Sequence, residues 1–169
     1  MDWSSISSTG VGAFLGVLSG LIVNLITTSI HERSIDKQQI KNAIFELEYI
    51  RGKMNDWAKS VKKIKQHISS DSMDDYYTYF DLSKCPNPSV NSIFQSGLLY
   101  KHITHEQMAQ LFRVFSTINE NFEGFFNSRI KFHKEHLDKQ AATKDANYWE
   151  DMFEEHAKHI GDIIQSLSR

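Results

Sequence analysis

Between Ile40 and Ile68, apolar residues recur at two positions of a seven-residue repeat, and this stripe limits the possible folds more than any other feature. Ile40, Leu47, Met54, Val61 and Ile68 occupy one position, while Ala43, Ile50, Trp57 and Ile64 fall three residues after each of the first four. That period places all nine on one face of an α-helix, whereas in a strand the same spacing would scatter them over both faces. Gly52 lies opposite the seam, at a cost of about 1 kcal/mol against alanine. The cations Arg51, Lys53, Lys59, Lys62, Lys63 and Lys65 also lie off the seam, with Asp56 the only acid among residues 51–65. Such a row is either a solvated helix face or a strip that meets RNA phosphates or lipid headgroups, in which case Lys59, Lys62, Lys63 and Lys65 are the candidate contacts.

The rest of the chain reads as helix too. The only prolines are Pro86 and Pro88, and residues 70–88 are acidic, aromatic and rich in turn formers. Asn87 and Pro88 have the order of an N-cap and a first helical residue, which predicts a short helix to about Tyr100 with Val90, Ile93, Phe94 and Leu98 inward. Thr104 and Gln107 have the spacing of a capping box, with Ile103 and Met108 placed as a hydrophobic staple. The helix they open is predicted to run from His105 to about Lys139, burying Met108, Leu111, Phe115, Ile118, Phe122 and Phe125. Thr143 is the expected cap of a last helix to about Leu167, with Ala146, Trp149, Phe153, Ile160 and Ile163 inward. No segment alternates as a strand does. The expected fold is all-α, with residues 1–30 a transmembrane helix, 31–69 a long juxtamembrane helix and 70–169 the remainder of a cytoplasmic bundle of about four helices.

The membrane assignment rests on residues 3–30, which contain no charge. A helix rising about 1.5 Å per residue needs roughly 20 apolar residues to cross the hydrocarbon, and residues 9–30 suffice. Asp2 precedes the segment, no Lys or Arg does, and no small-x-small cleavage site follows, so a retained span is expected rather than a signal peptide. Arg33, Lys37 and Lys41 flank its far end, and the positive-inside bias then places the following domain in the cytoplasm. Gly12, Gly16, Gly20, Asn24 and Thr28 are spaced by four. In a helix this row drifts only about 40° per step. Small residues let membrane helices approach closely, and an amide or hydroxyl bonds across them. An anchor alone gains nothing from that pattern, whereas self-association does, so these five are the candidate assembly or pore-lining residues.

Composition excludes several classes. The formal net charge is −2, so nothing global marks a nucleic-acid binder. Cys85 is the single cysteine, which rules out an intrachain disulfide and a thiolate zinc cluster. Phosphate loops, nucleophile elbows and zincin motifs are missing. Three His-x2-His pairs occur, His102/His105, His133/His136 and His156/His159. None is joined by the Glu-x2-His pattern of di-iron bundles, so neither a metal site nor a cofactor is expected.

Two stripes turn polar. Continuing the row of Met108, Phe115 and Phe122 leads to Arg129 and His136, and the row of Trp149 and Ile163 contains His156. If two antiparallel helices carry these rows, the three side chains share one pocket. A buried guanidinium needs partners, and it favours a neutral imidazole beside it. Such a pair has the chemistry for metal-independent RNA cleavage, the imidazole taking the 2′-OH proton and the guanidinium holding the phosphate.

The stretch from Arg129 to His136 resembles a divergent form of the Arg-x4-6-His motif of HEPN domains, which are all-α bundles. An N-terminal membrane helix joined to a short bundle of this kind is similar to the small membrane accessory proteins encoded beside type VI-B RNA-targeting CRISPR effectors. The resemblance in architecture covers the whole chain; the motif covers eight residues. It implies a single-pass protein of the bacterial inner membrane that forms a homo-oligomeric ring. That ring would act as a pore or permeability effector in antiviral defence once the RNA-guided effector has cut its target. HEPN nucleases usually have a polar residue after the arginine, where this chain has Ile130, so the resemblance implies a structural or regulatory role for Arg129 and His136. Partners implied are other copies of the chain, membrane lipid, and RNA or the RNA-guided effector complex. The alternative functions are a membrane-tethered RNase using Arg129 and His136, with His156 as a neighbour, and a membrane-anchored adaptor that binds a partner protein.

Overall fold

In a computed structural model the backbone is described for residues 3–73, 79–136 and 138–169, without the side chains of residues 3–26, 28–30 and 32. Among the described residues five α-helices follow one another: α1 (Trp3–Ser69), α2 (Pro88–Gln95), α3 (His105–Thr117), α4 (Glu120–Glu135) and α5 (Lys139–Leu167), with a 3-10 turn at Leu99–Lys101 between α2 and α3. The chain divides into two compact units, Met1–Gln39 and Ile40–Arg169. Among the described residues no helix is long and apolar enough to cross a membrane. Residues 9–30, the expected membrane span, lie outside the described side chains apart from Thr27.

Within the second unit, α5 is the central helix. Its inward residues Ala142, Ala146, Trp149, Phe153, His156, Ala157, Ile160, Ile163 and Leu167 are buried along nearly its full length. The seam of α1 packs there: Leu47, Ile50, Met54, Val61 and Ile64 are all buried, and Trp57 meets Phe153 at a ring separation of 5.6 Å. Arg51 lies against Gly161, and Lys65 bonds Glu150. Partner numbers on α5 fall as those on α1 rise, so the two helices are antiparallel. The same holds for α3, where Gln107 reaches Ser166 and Thr117 reaches His156, and for α4, where Phe126 meets Trp149 and Phe153 while Arg129 and His133 reach Asp145. The apolar seam is therefore consumed inside its own bundle.

The capping box at Thr104 forms in full, with both reciprocal bonds made. Asn87 has the position of an N-cap but makes no capping bond. Glu46 of α1 does that work, its carboxylate accepting from the N–H groups of Ser89 and Val90 at 2.9–3.0 Å. A carboxylate at a helix N-terminus satisfies orphan donors and opposes the positive end of the dipole. The helix stops at Gln95 rather than Tyr100 because Gly97 adopts φ +75°, a turn that the helix cannot continue through.

The expected helix from His105 to Lys139 is two helices. Ile118 leaves helical geometry, and Asn119 caps α4 through its side-chain oxygen, which accepts from Phe122 N–H at 3.0 Å. The break advances the buried stripe by one residue, about 100° of helix rotation. Phe126, Ile130 and His133 point inward, while Phe125, assigned to the apolar stripe from sequence, is 61% exposed, and Phe132 on the same side of α4 is 46% exposed. The cap of α5 is Asp138 and not Thr143: its carboxylate accepts from the N–H groups of Gln140 and Ala141.

Candidate functional site

The stripe shift decides which polar side chains α4 turns toward α5. His133 becomes a core residue, 2% exposed. Arg129 stands one turn before it on the same side, since four residues separate them. Asp145, in the second turn of α5, faces both: one carboxylate oxygen accepts from Arg129 Nε at 2.6 Å and from His133 Nε2 at 2.8 Å. A carboxylate is an acceptor only, so His133 carries its proton on Nε2, and its Nδ1 is buried without a partner. Burial pushes the Asp145 carboxyl up, but the bonds from Arg129 and His133 outweigh this and hold it below the usual carboxylate range. A small cavity of about 250 Å³ opens beside it, lined by Phe125, Arg129, Asp145, Tyr148 and Trp149.

The residues that sequence grouped together occupy separate places. His136 is exposed at the end of α4 and stacks on Phe132 with ring centroids 5.1 Å apart. The Arg129 guanidinium carbon lies 5.3 Å from the centroid of the same ring. His156 is buried on α5, where its Nε2 meets the Thr117 hydroxyl at 3.0 Å. Arg129 thus faces Asp145 and His133 rather than His136 or His156. Sequence reasoning did not find Asp145 and His133. The signal for them was the four-residue spacing of Arg129 and His133, together with the rule that a partly buried guanidinium demands a carboxylate. It was obscured because the break at Asn119 resets the helix phase.

The basic strip of α1 is largely neutralised. Lys62 pairs with Glu154 at 2.8 Å and Glu150 at 3.4 Å, Lys65 with Glu150 at 2.8 Å and Lys59 with Asp56 at 3.3 Å. Lys63 is exposed. The row that sequence offered as a phosphate-binding strip thus serves, at Lys62 and Lys65, to join α1 to α5. Gly12, Gly16, Gly20, Asn24 and Thr28 lie outside the described side chains.

A second polar cluster clasps the segment before α2. Glu123 accepts from the backbone N–H and hydroxyl of Ser83 at 2.7 and 2.6 Å and from the Tyr79 hydroxyl at 2.8 Å. Asn127 pairs with both backbone groups of Phe80, setting the Phe80 ring into the core against Phe126. Among the described residues no group of three or more His, Cys, Asp or Glu side chains is arranged to hold a metal ion.

A larger cavity of about 420 Å³ lies where α3 ends and α4 begins. It is lined by Arg113, Ser116 and Thr117 of α3, Phe122 of α4, and Tyr148, Asp151, Met152, Glu155 and His156 of α5. Burial pushes His156 below the ordinary histidine range. Glu155 opposes that shift, and His159 and Arg113 add to it. A histidine whose folded pKa is depressed favours the fold while neutral. That contribution is complete above the unfolded value of about 6.5 and is lost as pH falls through the folded value. Urea midpoints are therefore expected to drop on acidification from pH 7 to about 5.5, and His156→Gln to remove about one proton from that slope. The depressed carboxyls Asp145, Glu123 and Glu150 act in a separate window, below their unfolded values of about 4. An unchanged slope in the variant would show that His156 is not the group responsible.

No protein-family model matches the chain, and neither a curated protein nor a solved structure shows detectable similarity to it.

Proposed function

We propose that the chain is a membrane-anchored protein that self-associates through residues 9–30 into a homo-oligomeric pore or permeability effector, with its helical bundle on the cytoplasmic side. The observation that carries this reading is the charge-free run of residues 3–30 with glycines at 12, 16 and 20 and Asn24 in one row. Helical backbone through these positions supports it. The bundle supports it indirectly. Its heptad seam is buried against α5 and is not available to a neighbouring copy, so assembly falls to the small-residue row. In the accessory-protein resemblance, this activity belongs to antiviral defence triggered by an RNA-guided effector.

The RNase alternative draws less support. Cleavage needs a base and a free guanidinium converging on one phosphate, whereas Arg129 is engaged by Asp145 and His136 is stacked on Phe132. Leucine at Gly16 is expected to reduce the detergent-solubilised protein to monomer and to abolish ion flux in reconstituted vesicles. A leucine side chain there holds the helices apart, which also takes the Asn24 and Thr28 hydrogen bonds, about 0.6–2 kcal/mol each, out of reach. An oligomer of unchanged size in Gly16→Leu rejects the proposal.

A further inference from the structure

The 420 Å³ cavity owes its existence to the break in the chain at Ile118 and Asn119. α3 ends and α4 begins there, which leaves the face of α5 that carries Tyr148, Asp151, Met152 and Glu155 open between them. Residues 148, 151, 152, 155 and 156 share one face of α5 by their spacing. The floor is the Thr117–His156 pair. Half-buried Phe122 and Met152 form an apolar side, and Tyr148, 64% exposed, stands at the rim. The volume falls within the range of small-molecule sites.

Its charges differ from those that join α1 to α5. Lys62 and Lys65, elsewhere between α1 and α5, are joined to Glu150 and Glu154. In the cavity, by contrast, Arg113 on α3 and Asp151 on α5 form no ion pair among the described residues, and Glu155 is bonded only through His159. One cation and two carboxylates, around a neutral floor, leave a lining of net charge −1. An anion such as a nucleotide is repelled by that sum. A molecule with a cationic end and a smaller anionic end matches it.

We propose that this cavity binds a small zwitterionic amine. Asp151 and Glu155 take the ammonium or guanidinium beside the Tyr148 ring, Arg113 takes the carboxylate or phosphate, and Phe122 and Met152 cover the apolar stem. The inference does not depend on the membrane assembly. Its test is titration of the full chain in detergent, followed by calorimetry, with three probes: L-arginine for an amino acid, glycerophosphoethanolamine for a lipid headgroup, and agmatine, which lacks the anion. Saturable binding of L-arginine or of glycerophosphoethanolamine is expected, and whichever binds more tightly identifies the source. Agmatine should bind about tenfold more weakly than the better zwitterion. Arg113→Gln is expected to weaken the zwitterion about tenfold without weakening agmatine, whereas Asp151→Asn weakens both. All three groups are exposed, so thermal melting reports whether a variant remains folded. Absence of saturable binding by any probe at millimolar concentration overturns the proposal, as does equal affinity of the folded Arg113→Gln protein for the zwitterion.

Discussion

Phe126→Ala is expected to destabilise the bundle by about 3–5 kcal/mol in urea denaturation, the range for truncating a fully buried aromatic side chain. Phe126 has no exposed surface. Its ring lies 4.7 Å from Phe80, in edge-to-face geometry, and 4.5 Å from Trp149, with Phe153 at 5.7 Å and Phe122 at 6.1 Å. It therefore ties α4 to α5 and to the segment that Asn127 clasps. Removing it leaves a cavity that four rigid rings cannot easily fill. Phe126→Leu keeps most of the volume and is expected to cost less than half as much. The informative control is the neighbouring residue. Phe125→Ala, at a largely exposed position, should stay within about 0.5 kcal/mol of the parent. A larger loss at Phe125 than at Phe126 would contradict the helix break at Asn119 and restore the single long helix.

Asp145→Ala is expected to cost about 1–3 kcal/mol at neutral pH, chiefly by orphaning His133. That imidazole already has one ring nitrogen buried without a partner, and loss of Asp145 leaves the second in the same state. Arg129, 39% exposed at its side chain, recovers water and contributes little to the loss. Asp145→Asn separates geometry from charge. Both donors meet the same carboxylate oxygen, so an amide oxygen in that place can still accept from both. The asparagine variant should therefore retain more than half of the stability that alanine loses. If the two variants lose equally, the charge rather than the acceptor geometry holds the site. The depressed Asp145 carboxyl favours the fold above its unfolded pKa of about 4, and that contribution disappears as pH falls through the folded value. His136→Ala, on the exposed end of α4, is expected to be nearly neutral.

These variants separate what could be read along the chain from what could not. The heptad seam of α1 was legible residue by residue, because a helix that must bury one face repeats its apolar positions at its own period. The capping box at Thr104 was legible for a similar reason: it is a bond between residues three apart, and both partners lie within one turn. Arg129 was recognised as a cation needing a partner, but its partner was not. The choice between His136 and His133 depended on a change of helix phase at Ile118, where apolar continuity through Phe115, Ile118 and Phe122 imitated an unbroken stripe. Asn119 followed by Glu120 and Glu123 was the available sign of a new helix start, and the apolar pattern outweighed it.

Taken alone, the amino-acid sequence determined the helical class, the inward face of α1 and most of α5, and the charge-free run at the N-terminus, since each depends on the order of neighbours within a few turns. Tertiary structure alone decided that Asp145 joins Arg129 to His133, that Glu46 caps α2 from 43 residues away, and that a cavity opens beside His156. Those contacts arise where separate helices meet. Their partners are chosen by packing angle and helix phase, which no local spacing encodes.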